Sequence, residues 1–292
     1  MAAPRTVRGP RRPPAERVRA RLRAAASAEV ADAMPAGYQR LGGVLLLRLP
    51  AGLRPYFPLL GRAWQEELGV VTVLTQVGPV AGELRRPTVE RIAGTVTETE
   101  VVEHGIRWRF DAAELMFAAG NRTERARAGR LVRPGETVVD LFAGIGYFAI
   151  PAAVVGRAAR VTAVEKNPLA FHYLVANADR NGVAEVIDAR LGENRTVAID
   201  PGIADRIFLG YLPDAMPWIP RALELLRTGG GWLHVHTVAD AREAVSASER
   251  HVAAEVRAAG GRVDEGPRGR EVKPYGPGRT HVVVDVRVRP GA

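Results

Sequence analysis

The stretch "VVDLFAGIGYFAIPAA", residues 138–153, decides the fold of this chain. Val138 and Val139 complete a buried strand, and Asp140 stands at its carboxyl end. Ala143-Gly144-Ile145-Gly146 then turns tightly into an apolar helix. Small residues are required where a backbone lies against a ligand, and glycine reaches positive φ without a steric penalty. The loop lacks the third glycine of a dinucleotide fingerprint, and no lysine follows it as in a phosphate-gripping loop.

The next element narrows the ligand. "RVTAVEKNPLAFHYLVANADRNGV" (160–183) reads as a strand ending in Glu165, followed by a helix from Pro168. An acid at the second strand tip, about 20 residues beyond the glycines, is placed to accept both ribose hydroxyls of a nucleoside. A ligand with a sulfonium and an amino acid end, in place of a pyrophosphate, needs no phosphate cradle. The pattern therefore favours S-adenosylmethionine over a nicotinamide dinucleotide.

Outward from this motif, strand and helix alternate regularly. Strands are expected near 137–141, 160–165, 184–190, 205–209, 230–236, 261–266 and 280–288, which makes a doubly wound, mostly parallel α/β sheet. Before it, "GGVLLLRLP" (42–50) and "VVTVLTQVG" (70–78) read as strands, and 53–68 as a helix despite Pro58. Residues 95–110 alternate as a hairpin turning at His104-Gly105. The expected organisation is a basic lead-in over 1–35, a small α+β domain over 36–115 and a Rossmann-like domain over 116–292.

Composition sets limits. The 292 residues are 47% hydrophobic, enough for two cores, and the absence of cysteine excludes disulfides, thiolate metal sites and cysteine nucleophiles. No apolar run approaches the ~20 residues of a membrane span, and the arginine-rich start lacks the apolar segment of a secretory signal. A cytoplasmic protein with no membrane partner is expected; oligomeric state is not legible. The net charge of +9 rests almost wholly on arginine, since Lys166 and Lys273 are the only lysines. Eight arginines crowd residues 5–23, where a solvated helical tail is expected ahead of an RNA-contacting arm. His234 and His236 share a strand face but have no carboxylate cluster beside them, so no metal is expected.

Residues 36–290 resemble the family that pairs tRNA guanine N1-methyltransferases with the wybutosine-pathway aminocarboxypropyltransferases. The resemblance is carried by "TVLTQVGPVAGELR" (72–85), "MFAAGNRTERAR" (116–127), the two stretches above, "DRIFLGYLPDA" (205–215) and "VKPYGPGRTHVVVDV" (272–286). It implies a class I methyltransferase domain that uses S-adenosylmethionine, preceded by a small α+β domain. It further implies that Asp140, Phe142, Ala143, Gly144 and Gly146 border the methionine part, and that Glu165 holds the ribose. Lys166 and Asn167 flank the adenine, and Glu193 or Asn194 meets its amino group. Glu124 and Arg125 lie in the segment leading to the pocket, and Phe117 and Arg125 are expected among the cofactor-binding residues. Phe117-Ala118-Ala119-Gly120 departs from the family's Phe-Ser-Pro-Gly, so a hydroxyl bond at position 118 is lost.

The fourth strand tip, Leu209-Gly210-Tyr211-Leu212-Pro213, departs from the Asn-Leu-Pro of the methylating branch and is close to the aminocarboxypropyl-transferring one. That implies a transferase releasing methylthioadenosine, with Gly210 making room beside the sulfonium. Tyr211 and His236 are the candidate catalytic residues. Since wybutosine chemistry belongs to archaea and eukaryotes while the arginine bias looks bacterial, the expected acceptor is a small molecule of antibiotic or other secondary metabolism. A nocardicin-type phenol or internal closure to azetidine-2-carboxylate would fit. A modified guanine beside the tRNA anticodon, or tRNA guanine N1-methylation, is the alternative.

Overall fold

The computed structural model describes residues 12–291. The chain divides into two compact units: one runs to Val101 and takes in Phe110–Phe117, the other comprises Val102–Arg109 and everything from Ala118 onward.

The first unit opens with helix α1 (Pro14–Ala25), whose Pro14 sits at N1, where a missing amide hydrogen removes no helical bond. A second helix, α2 (Ala28–Ala33), is capped by Ser27, which accepts from the Val30 amide at 3.3 Å. Strands β1 (Tyr38–Leu41), β2 (Val44–Leu47), β3 (Thr72–Gln76) and β4 (Val89–Ala93) form a sheet in that order. β2 and β3 run parallel, joined through helix α3 (Phe57–Leu68). Pro58 is tolerated because it occupies the first turn of α3, and Gly69 closes the helix at φ 61°. Val18 and Leu22 of α1 are fully buried in the same core as Leu60 and Trp64. Arg17 pairs with Glu67, and Arg21 with Glu66 at 3.1 Å. The expected solvated tail is therefore, from Pro14, a packed helix whose arginines are turned to intramolecular partners; Arg5, Arg8 and Arg11 lie outside the described residues.

Strands β5 (Glu98–Glu103) and β6 (Ile106–Asp111) form a hairpin. It turns where expected, with His104 and Gly105 both at positive φ (52° and 81°). The boundary between the two units falls within this hairpin.

The second unit is built on helix α4 (Arg122–Leu131) and strand β7 (Thr137–Asp140), followed by α5 (Ala149–Val154), β8 (Arg160–Glu165), α6 (Pro168–Arg180), β9 (Ile187–Leu191) and β10 (Arg206–Leu209). Then come α7 (Ile219–Leu225), β11 (Gly231–Asp240), α8 (Ala244–Ala258), β12 (Arg262–Gly276) and β13 (Arg279–Arg289). The seven strands lie in the order β12-β13-β11-β10-β7-β8-β9. Six run in one direction, and β13 alone is antiparallel, between β11 and β12. The chain goes outward from β7 to β9 and then crosses to β10 on the other side. That reversal leaves a crevice outside the carboxyl ends of β7 and β10, where open α/β sheets bind ligands. One side of this sheet is an apolar core of Val139, Leu141, Ile207, Leu209, Leu233, Val235 and Val284, all with no exposed surface.

Candidate active site

All the candidate residues except Phe117 lie in the second unit. Phe117 belongs to the first, where it is buried and stacked on Phe110 with ring centroids 4.9 Å apart.

The β7 tip and its loop carry the central group. Asp140 is fully buried; its Oδ1 accepts from the Phe142 amide at 3.1 Å, while its Oδ2 has no partner. Burial pushes this carboxyl up to about 7, against the Phe142 amide, and the charge of Glu165 adds to the rise. Glu165, at the β8 tip, accepts from Gly144 N at 2.7 Å and from Asn167 N at 2.8 Å. Burial raises its pKa as well, opposed by those amides. Gly144 stands at φ 56°, and a Cβ there would meet the Tyr147 ring at 2.7 Å. Two carboxylates facing one glycine loop repel a pyrophosphate and suit a ligand that brings positive charge. An orphaned buried oxygen at Asp140 and spare lone pairs on Glu165 thus fit S-adenosylmethionine.

The neighbouring candidates divide by exposure. Asn194 is buried and its Nδ2 donates to the Leu141 carbonyl, bracing the β7 loop. Glu193 is exposed and faces Lys166 at 3.6 Å. Asn167 is buried and caps α6 through Leu169 N at 3.0 Å. Arg125 is committed to Glu103, at 2.9 and 2.7 Å, and to the Ala118 carbonyl at 3.0 Å. Its guanidinium lies over the Tyr147 ring, 5.8 Å from the centroid.

Gly210 has a task that the sequence does not reveal. A Cβ there would meet the Phe148 ring at 2.6 Å, so the space beside this strand tip is filled by Phe148. Tyr211 stacks on Phe142 at 5.2 Å, and Trp218 completes a triangle at 5.0 Å from Phe142 and 5.3 Å from Tyr211. The exposed Arg195 lies over Trp218 at 4.6 Å. His236 is buried, with Nδ1 2.9 Å from Nε2 of His281. Burial, then the charges of Arg127 and His234, pushes it down to about 3, so it is a neutral imidazole.

A polar chain runs across the α4-facing side of the sheet and was not foreseen. Glu136 holds Arg206 through two bonds of 2.8 and 3.0 Å, and Arg206 donates to His234 Nε2 at 2.7 Å. His234 Nδ1 then faces Asp285 at 2.6 Å, and Arg127 grips Asp285 at 2.6 and 3.1 Å. Glu124 accepts from Arg127 and from Arg270, each at 2.7 Å. Burial would raise Asp285, but the His234 and Arg127 bonds hold it well below the usual carboxylate range. His234 is therefore a structural histidine. The available signal was a polar residue between apolar strand neighbours at His234 and at Asp285; Arg206 follows the charged Asp205 at a strand entry and carried no such mark. Among the described residues no group of three or more His, Asp or Glu could hold a metal ion, and no helix is long and apolar enough to cross a membrane.

Strand order, glycine loop and paired carboxylates define a class I S-adenosylmethionine-dependent transferase. Residues 99–260 match the TRM5/TYW2 methyltransferase domain and residues 18–97 the TYW2 N-terminal domain, and the chain belongs to this family. It is 38% identical over 266 residues to the tRNA(Phe) (4-demethylwyosine(37)-C(7)) aminocarboxypropyltransferase of Pyrococcus horikoshii, covering 89% of this chain and 92% of that protein. The crystal structure of P. horikoshii TYW2 in complex with MeSAdo superposes with a TM-score of 0.84 at 34% identity, covering 94% and 99% of the two chains. That of Methanocaldococcus jannaschii TYW2 in complex with AdoMet gives 0.71 at 28%, covering 87% and 100%. Of the mammalian relatives it matches, the chain spans about half the length.

These likenesses bear out the family, the fold, the S-adenosylmethionine cofactor and the aminocarboxypropyltransferase class. They overturn the expected acceptor. The relatives act on tRNA(Phe), and nothing supports a small molecule such as a nocardicin-type phenol, azetidine-2-carboxylate formation or antibiotic biosynthesis. The expectation failed because a strand tip reports which group is moved and says little about what receives it; arginine bias is a property of base composition.

Proposed function

We propose that this chain is a cytoplasmic tRNA-modifying enzyme that moves the 3-amino-3-carboxypropyl group of S-adenosylmethionine to C7 of 4-demethylwyosine at position 37 of tRNA(Phe). The observation that carries the reading is the 38% identity to such an enzyme along 92% of that enzyme's length, with no carboxylate, imidazole or amine between Leu209 and Pro213 at the β10 tip. The cofactor, when bound, supplies a carbon already activated by the adjacent sulfonium. The protein has then mainly to bind, orient and exclude water.

In this reading Asp140, Phe142, Ala143, Gly144 and Gly146 border the methionine end, and Glu165 takes the ribose hydroxyls. Lys166, Asn167, Glu193 and Asn194 surround the adenine. Tyr211, half-buried against Phe142 and Trp218, offers an aromatic wall to a planar base. Incubation with cofactor and tRNA carrying 4-demethylwyosine tests the reading by mass. Methylthioadenosine with modified tRNA is expected; S-adenosylhomocysteine would mean a methyltransferase. Turnover should also fall steeply as salt rises from about 50 to 200 mM, because phosphate contacts release counterions.

A further inference from the structure

Tyr211 gives the acceptor base a wall, yet an RNA strand is held in place mainly through its phosphates. Around that wall Phe142, Tyr211 and Trp218 are half-buried and Arg195 is exposed, so all four keep surface at the carboxyl end of the sheet. They form a continuous path. The Tyr211 and Trp218 rings lie 5.3 Å apart, and the Arg195 guanidinium stands 4.6 Å over the Trp218 ring. Two such steps span a nucleotide from its base to a phosphate of its own backbone.

The mount of Arg195 is held on both sides. Gly192 N donates to the Glu165 carbonyl at 3.0 Å, and Asn194 Nδ2 donates to the Leu141 carbonyl. Thr196 N and Val197 N close the turn on the Glu193 carbonyl at 3.0 and 2.8 Å. The turn is thus tied to the β8 tip and the β7 loop, which carry Glu165 and Asp140. Other cations of this unit are neutralised: Lys166 faces Glu193 at 3.6 Å, Glu103 grips Arg125, and Arg127 and Arg270 share Glu124. Among the described residues Arg195 makes no ion pair; it rests on the Trp218 indole. A cation over an aromatic face is held in place without losing its charge. Its N–H donors stay available to an anionic oxygen, and the cost of ordering the side chain is lowered beforehand.

We propose that Arg195, seated on Trp218, binds a backbone phosphate of the nucleotide whose base lies on Tyr211. The contact sets where the acceptor carbon stands against the cofactor. The inference rests on the tRNA substrate proposed above. A phosphate is favoured over a second stacked base because the exposed group carries a full charge, and the ring beneath it is already covered by that charge.

The test uses the full chain and tRNA(Phe) carrying 4-demethylwyosine, with equilibrium binding measured across about 50 to 200 mM salt. Arg195→Ala should raise the tRNA Kd by about tenfold at the lowest salt. It should also flatten the slope of log Kd against log salt by about 0.7, the share of one single-strand phosphate. Arg195→Lys should keep the slope because the charge stays, whereas Arg195→Gln, planar but neutral, should lose it as alanine does. In all three variants the S-adenosylmethionine Kd should stay within about twofold. An Arg195→Ala protein with wild-type slope and affinity would overturn the proposal, as would an Arg195→Gln protein that keeps the slope. A cofactor Kd raised about tenfold with tRNA binding intact would overturn it too, assigning Arg195 to the cofactor's carboxylate. A wild type that neither binds nor modifies this tRNA sinks the functional reading itself, whatever the variants do.

Discussion

The seven-stranded sheet has two sides made by the same strands, and they are unlike. Odd positions of β7, β10, β11 and the even ones of β13 (Val139, Leu141, Ile207, Leu209, Leu233, Val235, Val284) build a dry core. Their alternates include, beside the apolar Val138, Phe208 and Val283, the polar Asp140, Arg206, His234, His236, His281 and Asp285, buried or nearly so. Burial of apolar surface stabilises without direction, at roughly 25 cal/mol per Å². The polar side gains little net stability from its ion pairs, because desolvation offsets attraction. What it gains is fixed geometry beside the candidate site. One side holds the sheet together and the other sets positions.

The largest expected separation between the two is in cofactor affinity. Glu165→Ala removes a charged acceptor for two ribose hydroxyls, each bond worth roughly 1.5–3 kcal/mol, and releases the Gly144 and Asn167 amides. Calorimetry should show Kd for S-adenosylmethionine rising by at least about 100-fold, whereas Leu233→Ala on the apolar side should leave it within about threefold. Binding of the Glu165→Ala protein within a factor of about three of wild type would mean that the β8 tip is not the ribose site.

Stability should part the two sides in the same order. Asp285→Ala leaves Arg127 and His234 facing an empty buried position, and breaking such a pair costs about 3–5 kcal/mol. Leu233→Ala should cost about 2–5 kcal/mol through lost contact and cavity. Replacing Arg206, His234 and Asp285 together by apolar residues should recover most of the Asp285→Ala loss in urea unfolding. A triple variant no more stable than the single one would show that the network itself stabilises.

Acid should act through the polar side alone. His234, His236 and His281 all have folded pKa values pushed below the ordinary 6.5 or so, the last two to about 3. Below that ordinary value the unfolded chain binds protons that the folded chain refuses, so stability falls as pH drops from about 6.5 toward 4.5. Asp140, raised to about 7, works the other way, since the folded chain holds its proton there. Glu165, also raised by burial, works with Asp140, so three histidines less these two carboxyls leave between one and two net protons, a slope of at most roughly 3 kcal/mol per pH unit. Thermal melts from pH 7 to pH 4.5 read it, and the His236→Gln/His281→Gln pair should flatten the curve. An unchanged slope would mean the rings are protonated in the fold.

The smallest effect on the fold is expected at the seam of the two sides. Gly210→Asn must push the Phe148 ring, and displacing a reacting carbon by about 1 Å can cost on the order of 100-fold in rate. Single-turnover rate should drop by far more than the cofactor Kd changes. Equal losses in both would place Phe148 in the cofactor pocket.

Much of this was legible in one dimension. Two local features, Asp140 to Gly146 and Glu165 before Pro168, follow from backbone rules that hold anywhere: a tight turn needs glycine, and a strand tip before a helix places an acid. The hairpin at His104-Gly105 and the strands from β7 to β11 are equally local. Periodicity marks them without knowledge of partners. Helix α1 was expected, but its docking was missed because a basic composition hides the Ala15, Val18 and Leu22 stripe that packs in the core. Only the tertiary structure could show why Gly210 is a glycine, since the Phe148 ring that excludes a Cβ is 62 residues earlier in the chain. The same holds for the Glu136–Arg206–His234–Asp285–Arg127–Glu124 chain and for His236 with His281: partners separated by up to 158 positions become neighbours only when β13 inserts beside β11. Sequence patterns determine which face a residue takes, because that depends on its own strand. Which charges meet on that face depends on strand order, and strand order is decided by the packing of the whole sheet.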